Sequence, residues 1–174
     1  MEMLQQAIYT ALRDDNPGSG VAGLRILLGK LATPFGVYQD HMPEAPDFGG
    51  GDPTWDTYYW GTFYWGQPVK SGYLVLSELS KGPGLASTRD ASTRLREMVV
   101  VATCYHPHVQ FLNRILRRTE NVLEGARKIT LPTSECELHG IIYEGDGPRL
   151  WDDKWKVHYR ASQYRCLYRD DLAS

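Results

Sequence analysis

The stretch that most constrains this chain is a strand signal followed at once by a helix signal. The run REMVVVATCY, Arg96 to Tyr105, sets Val99, Val100 and Val101 side by side in an apolar segment. Side chains branched at Cβ are stiff and pack well on a pleated surface, so the run predicts a central strand. Pro107 and His108 then open a helix in which Val109, Leu112, Leu116, Thr119 and Leu123 share one stripe, with Ile115 and Val122 beside it. Gly125 stops it, as a C-terminal glycine does. A long helix with one apolar stripe must cover something, and a neighbouring strand of this kind supplies the sheet.

The remaining elements fill in that picture. Leu4, Ile8, Ala11 and Leu12 recur at helical spacing before Asp14, Asp15, Asn16, Pro17 and Gly18, so the chain begins with a short amphipathic helix. From Val21 to Leu31 the run is apolar but carries two glycines, which fits either a short helix or an irregular packed segment. Phe35 to Gln39 and Tyr73 to Leu79 read as strands, and the Gly/Ser/Thr-rich KGPGLASTRDAST that follows reads as a loop. Glu137 to Glu144 is a further strand, with a turn at Gly145, Asp146, Gly147 and Pro148. In the last strand, about Trp155 to Arg169, Val157, Tyr159 and Ala161 occupy one parity and Tyr164, Cys166 and Tyr168 the other, which predicts a bulge or bend near Ser162. The order predicts an α+β fold of two layers: a mostly antiparallel sheet covered by one long amphipathic helix and a short N-terminal one. A chain of 174 residues is long enough to bury its own core, so residues 1–174 are expected to form one domain.

One segment stands apart. Between about residues 40 and 71, Pro43, Pro46, Gly49, Gly50, Gly51 and Pro53 forbid regular structure, and then Trp55, Tyr58, Tyr59, Trp60, Phe63, Tyr64 and Trp65 crowd into eleven positions. Gly61 sits where a hairpin could turn. Aromatic residues at this density exceed what a surface loop needs and match the composition of interface cores, so a projecting aromatic loop or hairpin that docks on a partner is expected. Two alternatives stand beside it: a lid folded back over the domain's own sheet, and a platform on which Trp55, Trp60 and Trp65 stack against sugar or base rings.

Charge and motif content narrow the function classes. A formal net charge of -2 with a pI near 6.2 lacks the basic surplus of a protein that grips nucleic acid by its phosphates. The N-terminal MEMLQQAIYTALRDD is too polar and acidic for a signal peptide, no apolar run reaches membrane-spanning length, and a cytosol-like compartment is expected. Cys104, Cys136 and Cys166 are odd in number and widely spaced, which argues for buried thiols over a disulfide framework. No GxGxxG follows a strand, and no GxxxxGK[ST], HExxH or GxSxG occurs, so no phosphate cradle or nucleophile turn is visible, and neither catalysis nor a cofactor or metal is expected.

Three clusters still carry some chemistry. Cys104, His106 and His108, with Cys136 and His139 later, have metal-ligand character. Against that, Cys104 falls inside a strand and Pro107 breaks the spacing of the two histidines. Glu144, Asp146, Asp152 and Asp153 gather around the last hairpin, where surface turn chemistry accounts for them more simply than an acid/base pair or a cation site. Arg114, Arg117 and Arg118, with Arg127 and Lys128 beyond, are interleaved with Glu120 and Glu124, the pattern of a solvated or intersubunit helix face. The candidate interface is therefore the aromatic segment together with Arg114, Arg117, Arg118, Asp152 and Asp153.

The C-terminal half, REMVVVATCYHPHVQFLNRILRRTENVLEGA followed by ELHGIIYEGDGPRLWDDKWKVHYRASQYRCLYRDD, resembles the tail terminator and tail-completion proteins of long-tailed bacteriophages in its pattern of elements. Leu4 to Leu12, Tyr73 to Leu79 and Met98 to Tyr168 take the places of that family's helix, strand and strand–helix–strand–strand unit. The stretch from about Asp40 to Ser71 departs from it, since the family has a shorter loop there. The resemblance implies a subunit of a ring, commonly a hexamer, that caps the tail tube and joins it to the head-proximal neck or adaptor protein, with DNA passing through the lumen. It implies a virion location after assembly in the host cytoplasm, no membrane partner, and no active site. A head-closure or adaptor protein, another minor tail component, and a small metal-binding enzyme domain remain as alternatives.

Overall fold

The computed structural model describes residues 2–15, 23–30, 33–49, 70–82, 93–125 and 136–171. Helix α1 spans Glu2–Arg13 and sinks Leu4, Ile8 and Leu12 into the core along one stripe. The ambiguous apolar run resolves into a short helix α2, Leu24–Leu28, which buries Leu24, Leu27 and Leu28. It ends at Gly29, whose φ of 65° is a left-handed conformation that glycine reaches without steric cost. Strand β1 covers only Val37–Gln39, because Phe35 and Gly36 turn through positive φ just before it.

Strands β2 (Tyr73–Gly82) and β3 (Thr93–His106) are longer than their apolar cores predict, and they take in both ends of the expected connector. Residues 83–92 of that connector lie outside the described residues. Helix α3 (Val109–Gly125) buries Leu112, Leu116, Thr119 and Leu123 of the predicted stripe and Ile115 beside it, while Val109 and Val122 are partly buried. Thr119, the polar member, is satisfied by donating its hydroxyl to the Ile115 carbonyl at 2.9 Å. Strand β4 runs Cys136–Asp146, a three-residue β5 covers Leu150–Asp152, and β6 runs Val157–Asp171.

These strands form one six-stranded sheet in the order β1-β2-β3-β6-β4, with β5 also paired to β6. Only the β1–β2 pair is parallel among the described strands. Strands β3 and β4 run in the same direction with β6 inserted between them, so α3 crosses the sheet on its way from one to the other and packs on β3, β4 and β6 and against α1 and α2. The α+β, helix-on-sheet expectation therefore holds.

The expected bulge near Ser162 is absent. β6 pairs with β3 in unbroken register from His158 to Asp171, and the shifts fall on β4 instead, between Leu138 and Gly140 and between Tyr143 and Gly145. The change of parity behind the expectation has another cause. Ser162, Tyr164, Cys166 and Tyr168 point into the helix-covered core, whereas Tyr159 on the opposite face is held by stacking on Tyr105 at 5.5 Å.

Candidate assembly surface

The basic row of α3 divides when placed in the fold. Arg114 and Arg117 are exposed, whereas Arg118 turns inward and grips Asp15 through two donors, Nε at 2.8 Å and Nη2 at 2.6 Å. Asp15 also accepts the backbone N–H of Leu24 at 2.8 Å. One carboxylate thus joins the end of α1, the start of α2 and the middle of α3. Bidentate pairing of this kind is geometrically specific and, being largely buried, is little screened by salt. Arg118 accordingly belongs to the interior of the chain, and the exposed basic face is Arg114 and Arg117.

The residues with metal-ligand character are spread apart. Cys104 is fully buried, and burial pushes its thiol well above the ordinary range. His106 is buried against the Phe111 ring, 4.8 Å between centroids, and burial together with nearby His108 lowers its pKa to about 3. Its Nδ1 accepts the backbone N–H of His108 at 2.9 Å, which places the imidazole proton on Nε2. His139 lies beside the Leu138–Tyr168 pair on β4 while Cys104 lies opposite Arg160; at about 3.3 Å per residue that is roughly 25 Å along the sheet. Among the described residues no three His, Cys, Asp or Glu side chains are placed to hold a metal ion together.

The last hairpin is the best-organised polar region of the described surface. Asp146, at the end of β4, accepts the buried Ser162 hydroxyl at 2.5 Å and pairs with Arg160 at 3.3 Å. Arg160 in turn donates Nε to the Gly147 carbonyl at 2.8 Å, and the Gly147 N–H reaches the Ala161 carbonyl at 2.8 Å. Next to them the Tyr143 phenol is pushed up to about 12 by burial and then by Asp146. Gly145, at φ 141°, lets the strand make this approach. The network fastens the β4–β5 turn to β6 and so fixes where β5 projects.

Beyond the turn, Leu150 and Trp151 are 45% and 46% exposed, large apolar side chains held on a rigid mount. Asp152 accepts the backbone N–H groups of Lys154 and Trp155 at 2.9 and 3.0 Å, a turn built around one carboxylate. Asp153 accepts the Trp151 indole N–H at 3.1 Å and pairs with Lys156 at 3.3 Å. Both predicted interface carboxylates are therefore engaged in shaping the hairpin tip, and what the tip presents outward is Leu150, Trp151, Arg149 and Lys154 together with the Asp153–Lys156 pair. Sequence reading passes over β5 because three residues between Pro148 and Asp152 give no periodicity. The available pointer is a tryptophan flanked by turn residues on both sides.

Trp55, Tyr58, Tyr59, Trp60, Phe63, Tyr64 and Trp65 lie outside the described residues. The chain on either side is well anchored: Phe48 meets Tyr73 edge-on at 5.0 Å, and its carbonyl accepts the Ser71 N–H at 3.0 Å.

No family model and no curated protein matches the chain. Among solved structures, a chain from "Virion of native gene transfer agent (GTA) particle" superposes with a TM-score of 0.59 at 18% identity, over 97% of this chain and 96% of that one. What the two chains share at this identity is the α+β fold across nearly their whole lengths. No helix among the described residues is long and apolar enough to cross a membrane.

Proposed function

We propose that this chain is a structural subunit of a phage-type virion that works by assembly and without turnover or cofactor. The observation that carries the reading is the fold likeness to a chain of a virion particle over 97% and 96% of the two chains, a match that leaves almost none of this sequence over. Within the virion the neck is its place: copies form a ring, a hexamer in the family the sequence resembles, which terminates the tail tube, binds the head-proximal neck protein and leaves a lumen for DNA. An overall charge of -2 suits a lumen that DNA must pass without being held. The rigid hairpin tip, the exposed Arg114 and Arg117, and the aromatic segment from Pro53 to Pro68 are the contact elements on this reading.

The test is the solution mass of the purified protein across a concentration series, with negative-stain images of the largest species. Rings with a central opening, or rings that appear when a tail tube protein is added, are the expected result. A monomer under both conditions, at concentrations up to about 100 μM where an affinity of about -5 kcal/mol would show, overturns the ring reading.

A further inference from the structure

We infer that the contact between neighbouring copies runs edge to edge, with the basic, tryptophan-bearing tip of one copy seated on the acidic Asp40–Asp47 segment of the next. The inference rests on the ring reading and specifies its interface.

Two observations carry it. The first is position. The tip lies at the edge of the sheet formed by β5, and the Asp40–Asp47 segment follows β1 at the opposite edge. Register sets the tip and the Asp47 end of the segment at one height: Tyr73 pairs with Tyr105, Tyr105 with Tyr159, and Tyr159 with Leu150 at the base of the tip, whereas Asp40, bonded to the Leu76 carbonyl, lies three residues further along. At the other end of that row, Asp47 donates its backbone N–H to the Tyr73 hydroxyl at 2.8 Å and accepts from the same hydroxyl at 3.0 Å. Complementary patches on opposite edges make a head-to-tail contact. Because they share a height, successive copies need no step along the strand direction, which is the condition for closing a ring instead of growing a helix.

The second is charge. Asp40, Glu44 and Asp47 are exposed and lie among prolines with no lysine or arginine in the segment; Lys30, which donates to the Asp47 carbonyl, reduces three negative charges to two. On the tip, Arg149, Lys154 and Lys156 stand against Asp152 and Asp153, a net charge of +1: Lys156 is matched by Asp153, Asp152 caps the turn, and Lys154 lies over the Trp155 ring at 4.5 Å. A half-exposed indole flanked by cations and facing a proline-rich acidic strip has the make-up of an interface centre with a charged rim.

The experiment is a charge swap read by the concentration at half-assembly. Arg149→Glu with Lys154→Glu reverses the tip. Glu44→Lys with Asp47→Asn reverses the strip, asparagine being chosen because its side-chain oxygen can still accept the Gly49 N–H that Asp47 Oδ1 accepts at 2.7 Å. Each pair raises the half-assembly concentration by about tenfold or more, and all four changes together bring it back to within about threefold of the wild type. Unchanged thermal melts confirm that these surface variants fold. Wild-type rings that are insensitive to both reversals overturn this interface and leave the ring reading standing; a wild type that never assembles removes the ring reading and this inference with it.

Discussion

Toward the helices, β3 sets Met98, Val100, Ala102, Cys104 and His106, none more than 2% exposed; the residues between them, Val99, Val101, Thr103 and Tyr105, are only half-covered. The same division recurs on β6, where Ser162, Tyr164, Cys166 and Tyr168 are buried while Gln163 and Arg165 are exposed. One backbone therefore carries two surfaces with different duties. The helix face, closed over by α1, α2 and α3, holds the apolar burial that stabilises the fold. The other face is free of helices among the described residues; it buries Tyr73, Val75 and Val157 near one end and leaves most of the β3 and β6 side chains on it half-covered or exposed.

Truncating one tyrosine on each face of β6 challenges that division most strongly. Tyr164 is fully buried, and Tyr164→Ala should cost about 4 kcal/mol of unfolding free energy, as deletion of a large core ring does. Tyr159, on the other face, loses mainly its stacking on Tyr105 and should cost about 1 kcal/mol. Urea unfolding of the two variants gives the ratio. Equal losses would mean that the second face contributes as much to folding as the first.

Acid should separate the faces next, through His106. Its pKa in the fold is about 3, against an ordinary histidine value in the unfolded chain, so the unfolded state binds a proton that the folded state refuses. Stability is therefore complete above the unfolded value and is lost as pH falls, by about 3 kcal/mol between pH 7 and pH 4 from this group. His106→Phe keeps the ring packing against Phe111 and removes the titration. The gap in stability between wild type and variant should shift in the variant's favour as the pH is lowered; a constant gap would show that His106 does not titrate against folding.

The Asp15–Arg118 clamp is the third lever, smaller because its charges keep some access to water. Asp15→Ala leaves the Arg118 guanidinium without its carboxylate and the Leu24 N–H without its acceptor, and should cost about 2 to 3 kcal/mol. On the proposed reading assembly uses other surfaces, and it should be unchanged once the protein is folded. A variant of full stability that fails to assemble would return Arg118 to the interface.

Local signals account for the part of the fold that is legible in the sequence. The three valines of β3 and the stripe of α3 predict their own elements, because period and propensity act over a few neighbouring residues. From those alone the helix-on-sheet class follows. The insertion of β6 between β3 and β4 is not a local property, and neither is the fastening of Asp146 to Arg160 and Ser162, residues 14 and 16 positions later. The parity change at Ser162 predicts a bulge only for a strand with a single buried face. A second face that buries Val157 and half-covers Tyr159 and Ala161, with its own ring pair, accounts for these residues without any break in register. Asp152 and Asp153 are recognisable as turn residues from the sequence, whereas their role in presenting Trp151 becomes visible only with the hydrogen bonds.

The smallest effect on stability should come from Ile142, and it bears on the two faces most directly. Ile142 is an isoleucine in the middle of β4, where an alternating pattern would be read as core, yet it is 50% exposed on the face opposite the helices, beside Arg165. Ile142→Thr keeps the branched shape that a strand favours and removes apolar surface that water already reaches, so unfolding should shift by no more than about 0.5 kcal/mol. If the open face takes part in assembly, the same substitution should raise the half-assembly concentration while the melting curve stays in place. A loss of stability comparable to that of a buried residue would show that something covers Ile142 in the folded monomer, and the division of labour between the two faces would fail at that point.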